Sequence, residues 1–175
     1  MFVVGEDIIY GNMGVCRVEG ITVPDFYPTK RECYVLRPLY MANSKVYTPV
    51  EDGPMALRPL MSAEEGQSLI DGMPDMETLP SDMEKQELQN ACREATKSGD
   101  FLFLARLVKT LHEKKAVMAA IKKNISSVEK ECFDSAESIL YGELAVVLDI
   151  PVEEVGSYVL GRLTVDVPGS AEGIA

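Results

Sequence analysis

The chain has 175 residues, which is enough for one ordinary domain or two small ones. Its 46% hydrophobic content is normal for a globular protein and excludes a chain that is disordered throughout. The formal net charge of −11 disfavours nucleic-acid binding by the molecule as a whole, so any such contact requires a local basic patch. No apolar run approaches the ~18 residues that a membrane span needs, so we expect no membrane contact.

The first 60 residues predict β structure, because short apolar runs alternate with turn residues at intervals of about 8–12 residues. In the clearest run, Cys16 and Val18 share one face, while Arg17 and Glu19 share the other. Pro49 closes the last run, since proline cannot donate to a ladder. These runs predict a small antiparallel barrel or curled sheet. The predicted strands are 2–4, 8–10, 15–21, 32–37, 39–41 and 45–48.

The composition changes after residue 60. Ser62 and Glu65 have capping-box spacing and predict a short helix that ends near Met73. Residues 72–81 contain one glycine, two prolines and two acidic residues, and we interpret them as a linker. We therefore divide this half of the chain into a β domain at 1–62 and a short helix with an acidic linker at 63–81.

Helical spacing dominates from residue 82 onward. Gly99 has the character of a helix C′ residue, and Asp100 that of the next N-cap. Ser126 and Glu129 form a second capping-box pattern, and Pro151 fits the first turn of a last helix. We predict a helical domain at 82–163 and a loose tail at 164–175, which makes the chain an α+β protein. The predicted helices are 82–98, 101–116, a short turn at 117–123, 126–148 and 151–162.

The four cysteines and the single histidine do not suggest a metal or catalytic site. The cysteines have no CxxC spacing, and His112 lacks a nucleophile motif and a third orienting group. We interpret the cysteines as reduced, buried thiols, with a disulfide pair as the alternative. We expect no enzyme activity, no cofactor and no small-molecule substrate, although a small enzyme stays a rival interpretation. The cysteines are Cys16, Cys33, Cys92 and Cys132.

Tyrosines are frequent in the predicted β domain. They could form an aromatic cage for a methylated side chain, but packing in the core and on the sheet is the favoured interpretation. The residues concerned are Tyr10, Tyr34, Tyr40 and Tyr47.

One segment, 101–131, is positively charged, with seven basic and three acidic residues. Such a cluster could contact DNA phosphates, or it could be a solvated helix face balanced by acidic neighbours. Helical spacing places Arg106 and Lys109 away from the apolar stripe of Leu104, Leu107 and Leu111. The candidate DNA-binding residues are Arg106, Lys109, Lys114, Lys115, Lys122 and Lys123.

Several stretches, in order, resemble the CarD/CdnL family of bacterial transcription regulators. The opening residues 4–15 are similar to the family's VGD-x-VVY-P-x-x-GVG, and Tyr34-Val35-Leu36 to its YYVL strand. Val46-x-Thr48-Pro49 resembles VxVP, and Leu57-Arg58-Pro59-Leu60 resembles GxRxL. In the second half, 98–111 and Gly142-Glu143-Leu144-Ala145 are similar to the family's SGD…LAEVVRDL and ELA motifs. The resemblance covers about residues 2–163.

This resemblance implies an N-terminal Tudor-like domain that binds the β subunit of RNA polymerase, a module that is also found in transcription–repair coupling factors. It implies a helical domain beside promoter DNA, upstream of the melted region, that stabilises the open complex. A cytoplasmic location follows from that role and from the absence of a recognisable signal peptide. A polymerase- or protein-binding adaptor without DNA contact is the alternative, and the oligomeric state, including domain swapping, stays open.

The resemblance places the polymerase contact on the strand that contains Lys45, Val46, Tyr47, Thr48 and Pro49. An exposed edge strand could pair with a strand of the partner, whereas an internal strand could not. Tyr47 stands where the family has an arginine.

The start of the helical domain also departs from the family. Lys85 stands at the position of the family's DNA-wedging tryptophan, and Glu87 and Leu88 replace its arginines. A minor-groove wedge needs a large apolar side chain, so we expect weaker stabilisation of the open complex or action through protein contacts alone.

Overall fold

The computed structural model describes residues 1–163, so the predicted tail at 164–175 lies outside the described residues. Five strands precede five helices, which confirms the α+β class with an antiparallel, Tudor-like N-terminal sheet. The strands are β1 Asp7–Tyr10, β2 Val15–Thr22, β3 Cys33–Pro38, β4 Val46–Pro49 and β5 Leu57–Pro59. The helices are α1 Ala63–Gly72, α2 Lys85–Ser98, α3 Phe101–Ala120, α4 Ser127–Leu148 and α5 Val152–Leu160.

The sheet is an open antiparallel ladder in the order β4-β3-β2-β1-β5. A register shift between Val18 and Gly20 marks a bulge in the long strand β2, which is a usual way to bend a sheet. Cys16 and Val18 lie in the core that one face of the sheet covers, as their alternation predicts. The core of the β domain contains Ile8, Tyr10, Cys16, Val18, Tyr34 and Leu36.

Three short segments of the β domain differ from the prediction. Residues 2–4 and 39–41 are not strands, whereas β5 was not predicted. Phe2 instead packs on Tyr34, and its backbone N–H donates to the Tyr34 hydroxyl at 2.9 Å. β5 is only three residues long and ends in a proline, so it lacks the alternation by which a strand is recognised.

The segment 63–81 packs on the helical domain. The predicted capping box is present, because the Ser62 hydroxyl accepts from the Glu65 N–H and the Glu65 carboxylate accepts from the Ser62 N–H. Ile70, Met73 and Leu79 are buried in the same core as the later helices. This stretch therefore stabilises the helical domain through apolar burial.

The helix starts and stops mostly match their sequence patterns. Gly99 ends α2 with a φ of 69°, Asp100 caps α3, and Ser126 and Glu129 form the predicted capping box of α4. The turn predicted at 117–123 is mostly the last part of α3, which continues to Ala120. Among the described residues, no helix is both long and apolar enough to cross a membrane.

Candidate functional site

The strand implicated in partner binding forms one edge of the sheet. β4 pairs with β3 through Val46 to Pro49 and is the terminal strand on that side, so it is not an internal strand. Lys45 is exposed, Val46 and Tyr47 are half-buried, and Thr48 and Pro49 are buried. Because only one side of β4 pairs within the sheet, its other side can accept a further strand.

An aromatic pair lies beside this edge. The ring of Phe26, in the loop after β2, meets that of Tyr47 edge-to-face, with 5.1 Å between the centroids. Phe26 is 66% exposed, so most of its ring surface is open to contact. The pair therefore adds an apolar contact surface next to the free strand edge.

A charge network flanks the same edge. Lys45 and Arg37 both contact the Glu19 carboxylate, at 3.1 Å and 2.8 Å. The hydrogen bonds from Lys45 and Arg37 lower the pKa of Glu19, although partial desolvation opposes them. Exposed ion pairs of this kind contribute little to folding, but they can orient a partner.

The six predicted DNA-binding residues do not share one surface, because two of them contact backbone carbonyl groups of the protein itself. Arg106 donates to the backbone carbonyl oxygens of Glu77 and Thr78, at 3.0 and 3.2 Å. Lys109 is buried, and its ammonium group donates to the carbonyl oxygens of Pro74 and Met76, at 2.6 and 2.5 Å. The expectation that Lys109 lies on the exposed face of α3 is therefore wrong. Two carbonyl groups in the segment before α2 hold this lysine in place, and sequence spacing could not reveal them.

The remaining lysines lie on the surface near the end of α3. Lys114 forms an ion pair with Glu129, the capping-box residue of α4. Burial alone would raise the pKa of Glu129, but the contacts with Lys114 and Ser126 lower it. The Lys115 ammonium lies 5.6 Å from the centroid of the Phe133 ring, within cation–π range. Lys122 and Lys123 follow the helix and are exposed.

The first turn of α2 carries no apolar wedge. Lys85 is the first residue of α2 and is exposed, as is Glu87, whereas Leu88 is buried in the helical core. Of these three residues, only the charged Lys85 and Glu87 are therefore at the surface.

Sequence analysis missed the junction between the two domains. Arg58 of β5 makes a two-pronged ion pair with Glu143 of α4, with nitrogen–oxygen distances of 2.7 and 2.6 Å. Arg58 also donates to the carbonyl oxygen of Gly99, and Glu143 accepts from the Met61 N–H. Glu143 is fully buried on the apolar face of α4. In the sequence, the only sign of this ion pair is a glutamate among the apolar positions of a predicted helix, because a buried carboxylate needs a charged or hydrogen-bonding partner.

The four tyrosines of the β domain do not come together as an aromatic cage, which was the less favoured interpretation. Tyr10 and Tyr34 are buried in the sheet core, Tyr47 packs on Phe26, and the Tyr40 hydroxyl donates to the Gly142 carbonyl oxygen at 3.1 Å. The prediction of packing in the core and on the sheet is confirmed for Tyr10 and Tyr34, whereas Tyr40 is 47% exposed and contacts α4 instead.

The four cysteines and the single histidine are divided between the β domain and the helical domain. All four cysteines are buried, as predicted. Within residues 1–163, no three histidine, cysteine or carboxylate side chains are grouped to hold a metal ion. His112 is half-buried on α3, where burial lowers its pKa.

Family comparisons account for both halves of the chain. The family model of the CarD-like/TRCF RID domain matches residues 2–61, and that of the CarD C-terminal domain matches residues 76–159. No curated protein has a significant sequence match to the chain. Domains of this family suggest a transcription-associated regulator that interacts with RNA polymerase. The chain therefore belongs to the CarD-like family.

Proposed function

We propose that this protein binds the β subunit of RNA polymerase through the edge strand β4 and modulates the stability of the open promoter complex. The observation that carries the proposal is the side of β4 that is unpaired among residues 1–163, next to the exposed Phe26 and the half-buried Tyr47. A partner strand that joins this edge would gain backbone hydrogen bonds, and the aromatic pair would select side chains on the added strand. Action on RNA polymerase in turn implies a cytoplasmic location.

Tyr47 changes the chemistry of the proposed contact. The resemblance implies an arginine at this position, whereas Tyr47 presents a ring that is already packed against Phe26. Such a ring is rigid before binding, so it loses little conformational freedom in the complex. We expect this contact to depend on apolar area more than on charge, and therefore to be only weakly sensitive to salt.

The effect on the open complex follows from linkage. A regulator stabilises one promoter state only by the difference between its affinities for the two states. We propose that the helical domain contributes a weak, sequence-independent DNA contact through Lys115, Lys122 and Lys123. Lys109 is excluded because it is buried, and the charge of Lys114 is partly neutralised by Glu129. Without an apolar wedge at Lys85, no base step would be unstacked.

The direct test is binding of the full-length chain to the isolated N-terminal lobe of a bacterial RNA polymerase β subunit. We expect micromolar or tighter binding that Tyr47→Glu weakens at least tenfold, because a carboxylate would replace the aromatic contact. The matched control is Tyr158→Glu on α5, which also replaces a partly exposed tyrosine and is expected to bind like the unchanged protein. Equal weakening by both variants, or no binding of the unchanged chain, would refute the proposed edge contact.

Measuring DNA affinity at several salt concentrations distinguishes the proposed function from the alternative, an adaptor without DNA contact. In the proposed function, a triple reversal of Lys115, Lys122 and Lys123 to glutamate removes a weak, salt-dependent affinity for duplex DNA. The control reverses Lys30 and Arg31, which precede β3, and is expected to keep that affinity. Absence of salt-dependent binding by the unchanged chain would leave the adaptor without DNA contact as the better interpretation.

A further inference from the structure

Two buried thiols meet where α2 packs on α4. Cys92 lies on α2 and Cys132 on α4, and both are buried. The Cys92 thiol donates to the Cys132 carbonyl oxygen, with 3.7 Å between sulfur and oxygen. The pair thus joins two helices that are separated along the chain by the whole of α3.

A surface cavity gives small molecules a route to this pair. The cavity has a volume of about 180 Å³ and is lined by both cysteines together with Arg93, Thr96 and Glu131. This volume exceeds what one or two water molecules occupy, so a small oxidant can enter. Cys16 and Cys33 belong to the separate β domain.

The four thiols also differ in the direction in which their surroundings shift the pKa. The contact between the two thiols lowers the pKa of Cys92 and raises that of Cys132. Burial raises the pKa of Cys16 to about 12 and also raises that of Cys33. Since the thiolate is the reactive form, Cys92 is the thiol that attacks first.

We propose that Cys92 and Cys132 are a modification site at which hydrogen peroxide produces an intramolecular disulfide. The Cys92 thiolate attacks a peroxide oxygen, so that an S–O bond forms, the O–O bond breaks, and the released hydroxide leaves as water after protonation. The Cys132 thiol then attacks the sulfenic sulfur, so that the S–S bond forms and a second water leaves. The two thiols lose two electrons, and the peroxide gains them.

The bond would fix α2 on α4. It would close a loop that contains α3, which restricts the unfolded chain and stabilises the folded one. It would also hold in place the helix that starts at Lys85, the position where the resemblance puts the DNA contact. The cross-link itself does not depend on the proposed function, since it needs only the two thiols and an oxidant.

The experiment exposes the reduced full-length chain to hydrogen peroxide, unfolds it and alkylates the remaining thiols with N-ethylmaleimide. Peptide mass spectrometry is expected to find tryptic fragments 86–93 and 131–162 joined by a disulfide, with Cys16 and Cys33 alkylated. Dithiothreitol is expected to reverse the link. The oxidised chain is expected to melt roughly 5–10 °C higher than the reduced one.

Single substitutions make the assignment specific. Cys92→Ser and Cys132→Ser should each abolish the link, whereas Cys16→Ser, the matched control, should retain it. Cys92→Ala and Cys132→Ala repeat the test without a buried hydroxyl, in case the serine variants fold poorly. Sulfinic acid on Cys92 without the cross-link, four free thiols after oxidation, or a disulfide that involves Cys33 would each overturn the proposal.

Discussion

The two edges of the sheet have opposite surroundings. β5 is closed by the helical domain, where Arg58 reaches both Glu143 and the carbonyl oxygen of Gly99. Among residues 1–163, β4 at the other end of the sheet has no such cover, and Tyr47 with Phe26 lies at its side. Within the described residues, contacts with the helical domain thus cover the β5 edge, whereas the β4 edge, proposed above as the partner contact, is uncovered.

The interactions at the two edges also differ in how much they contribute to folding stability. The closed edge depends on the ion pair between Arg58, whose side chain is mostly buried, and Glu143, which is fully buried. The Glu143 carboxylate needs this partner because it has no contact with water. The open edge carries exposed ion pairs around Glu19 and a half-exposed aromatic pair, and such groups add little to folding stability. Damage at the closed edge should thus unfold the protein, whereas damage at the open edge should affect binding.

The largest expected effect is at the closed edge. Glu143→Ala leaves the Arg58 guanidinium and the Met61 N–H without their carboxylate partner. Breaking a buried pair from one side typically costs about 3–5 kcal/mol, so we expect that loss in the free energy of unfolding. Urea denaturation monitored by circular dichroism measures it.

Two variants control for this effect. Asp7→Ala breaks the bidentate pair with Arg17, which is 44% exposed, and should cost less than about 1 kcal/mol. Arg58→Met combined with Glu143→Leu removes both buried charges and should recover part of the loss. If Glu143→Ala costs no more than Asp7→Ala, the junction does not stabilise the fold.

Sequence patterns predicted the local features of this architecture. Both capping boxes, the end of α2 at Gly99 and the Cys16–Val18 face of β2 follow from spacings of two to four residues. Such features depend on neighbours along the chain, which the sequence displays directly.

The features that were missed depend on distant partners. Lys109 looked exposed because its two carbonyl acceptors, at Pro74 and Met76, precede it by more than thirty residues. The Arg58–Glu143 pair spans 85 residues, and no periodicity links its members. For the candidate site, the resemblance identified the strand. It did not identify Phe26, which lies in the loop between β2 and β3, far along the chain from Tyr47.

A smaller loss of stability is expected from a substitution at Gly99, where the end of α2 meets β5. Gly99 has a left-handed φ of 69°, and an added Cβ would lie 3.2 Å from Ile9 Cγ2 and 3.3 Å from Arg58 Nε. Alanine at this position would strain the backbone and crowd the junction, and together these effects should lower the free energy of unfolding by about 1–2 kcal/mol. The matched control, Gly72→Ala at the end of α1, has an ordinary φ of −84° and no neighbour within 4 Å. We expect Gly99→Ala to lower the unfolding midpoint and Gly72→Ala to leave it unchanged or raise it.

The smallest effect is expected at the open edge. The Thr48 hydroxyl is buried without a hydrogen-bond partner among the described residues. Thr48→Val keeps the shape of the side chain and removes this unsatisfied group, so stability should stay the same or rise by up to about 1 kcal/mol. Thr110→Val is the control, because the Thr110 hydroxyl accepts from the Leu79 N–H and donates to the Arg106 carbonyl oxygen. That variant should lose about 1–2 kcal/mol.

Thr48→Val also separates folding from binding at β4. Because Thr48 is fully buried, valine at this position should leave binding to the polymerase β lobe unchanged, whereas Tyr47→Glu weakens it. Thermal melts and a binding titration of the same samples measure both properties. A Thr48→Val variant that loses binding while it keeps its stability would mean that the partner reaches the buried side of β4. The aromatic pair would then not be the contact surface of the open edge.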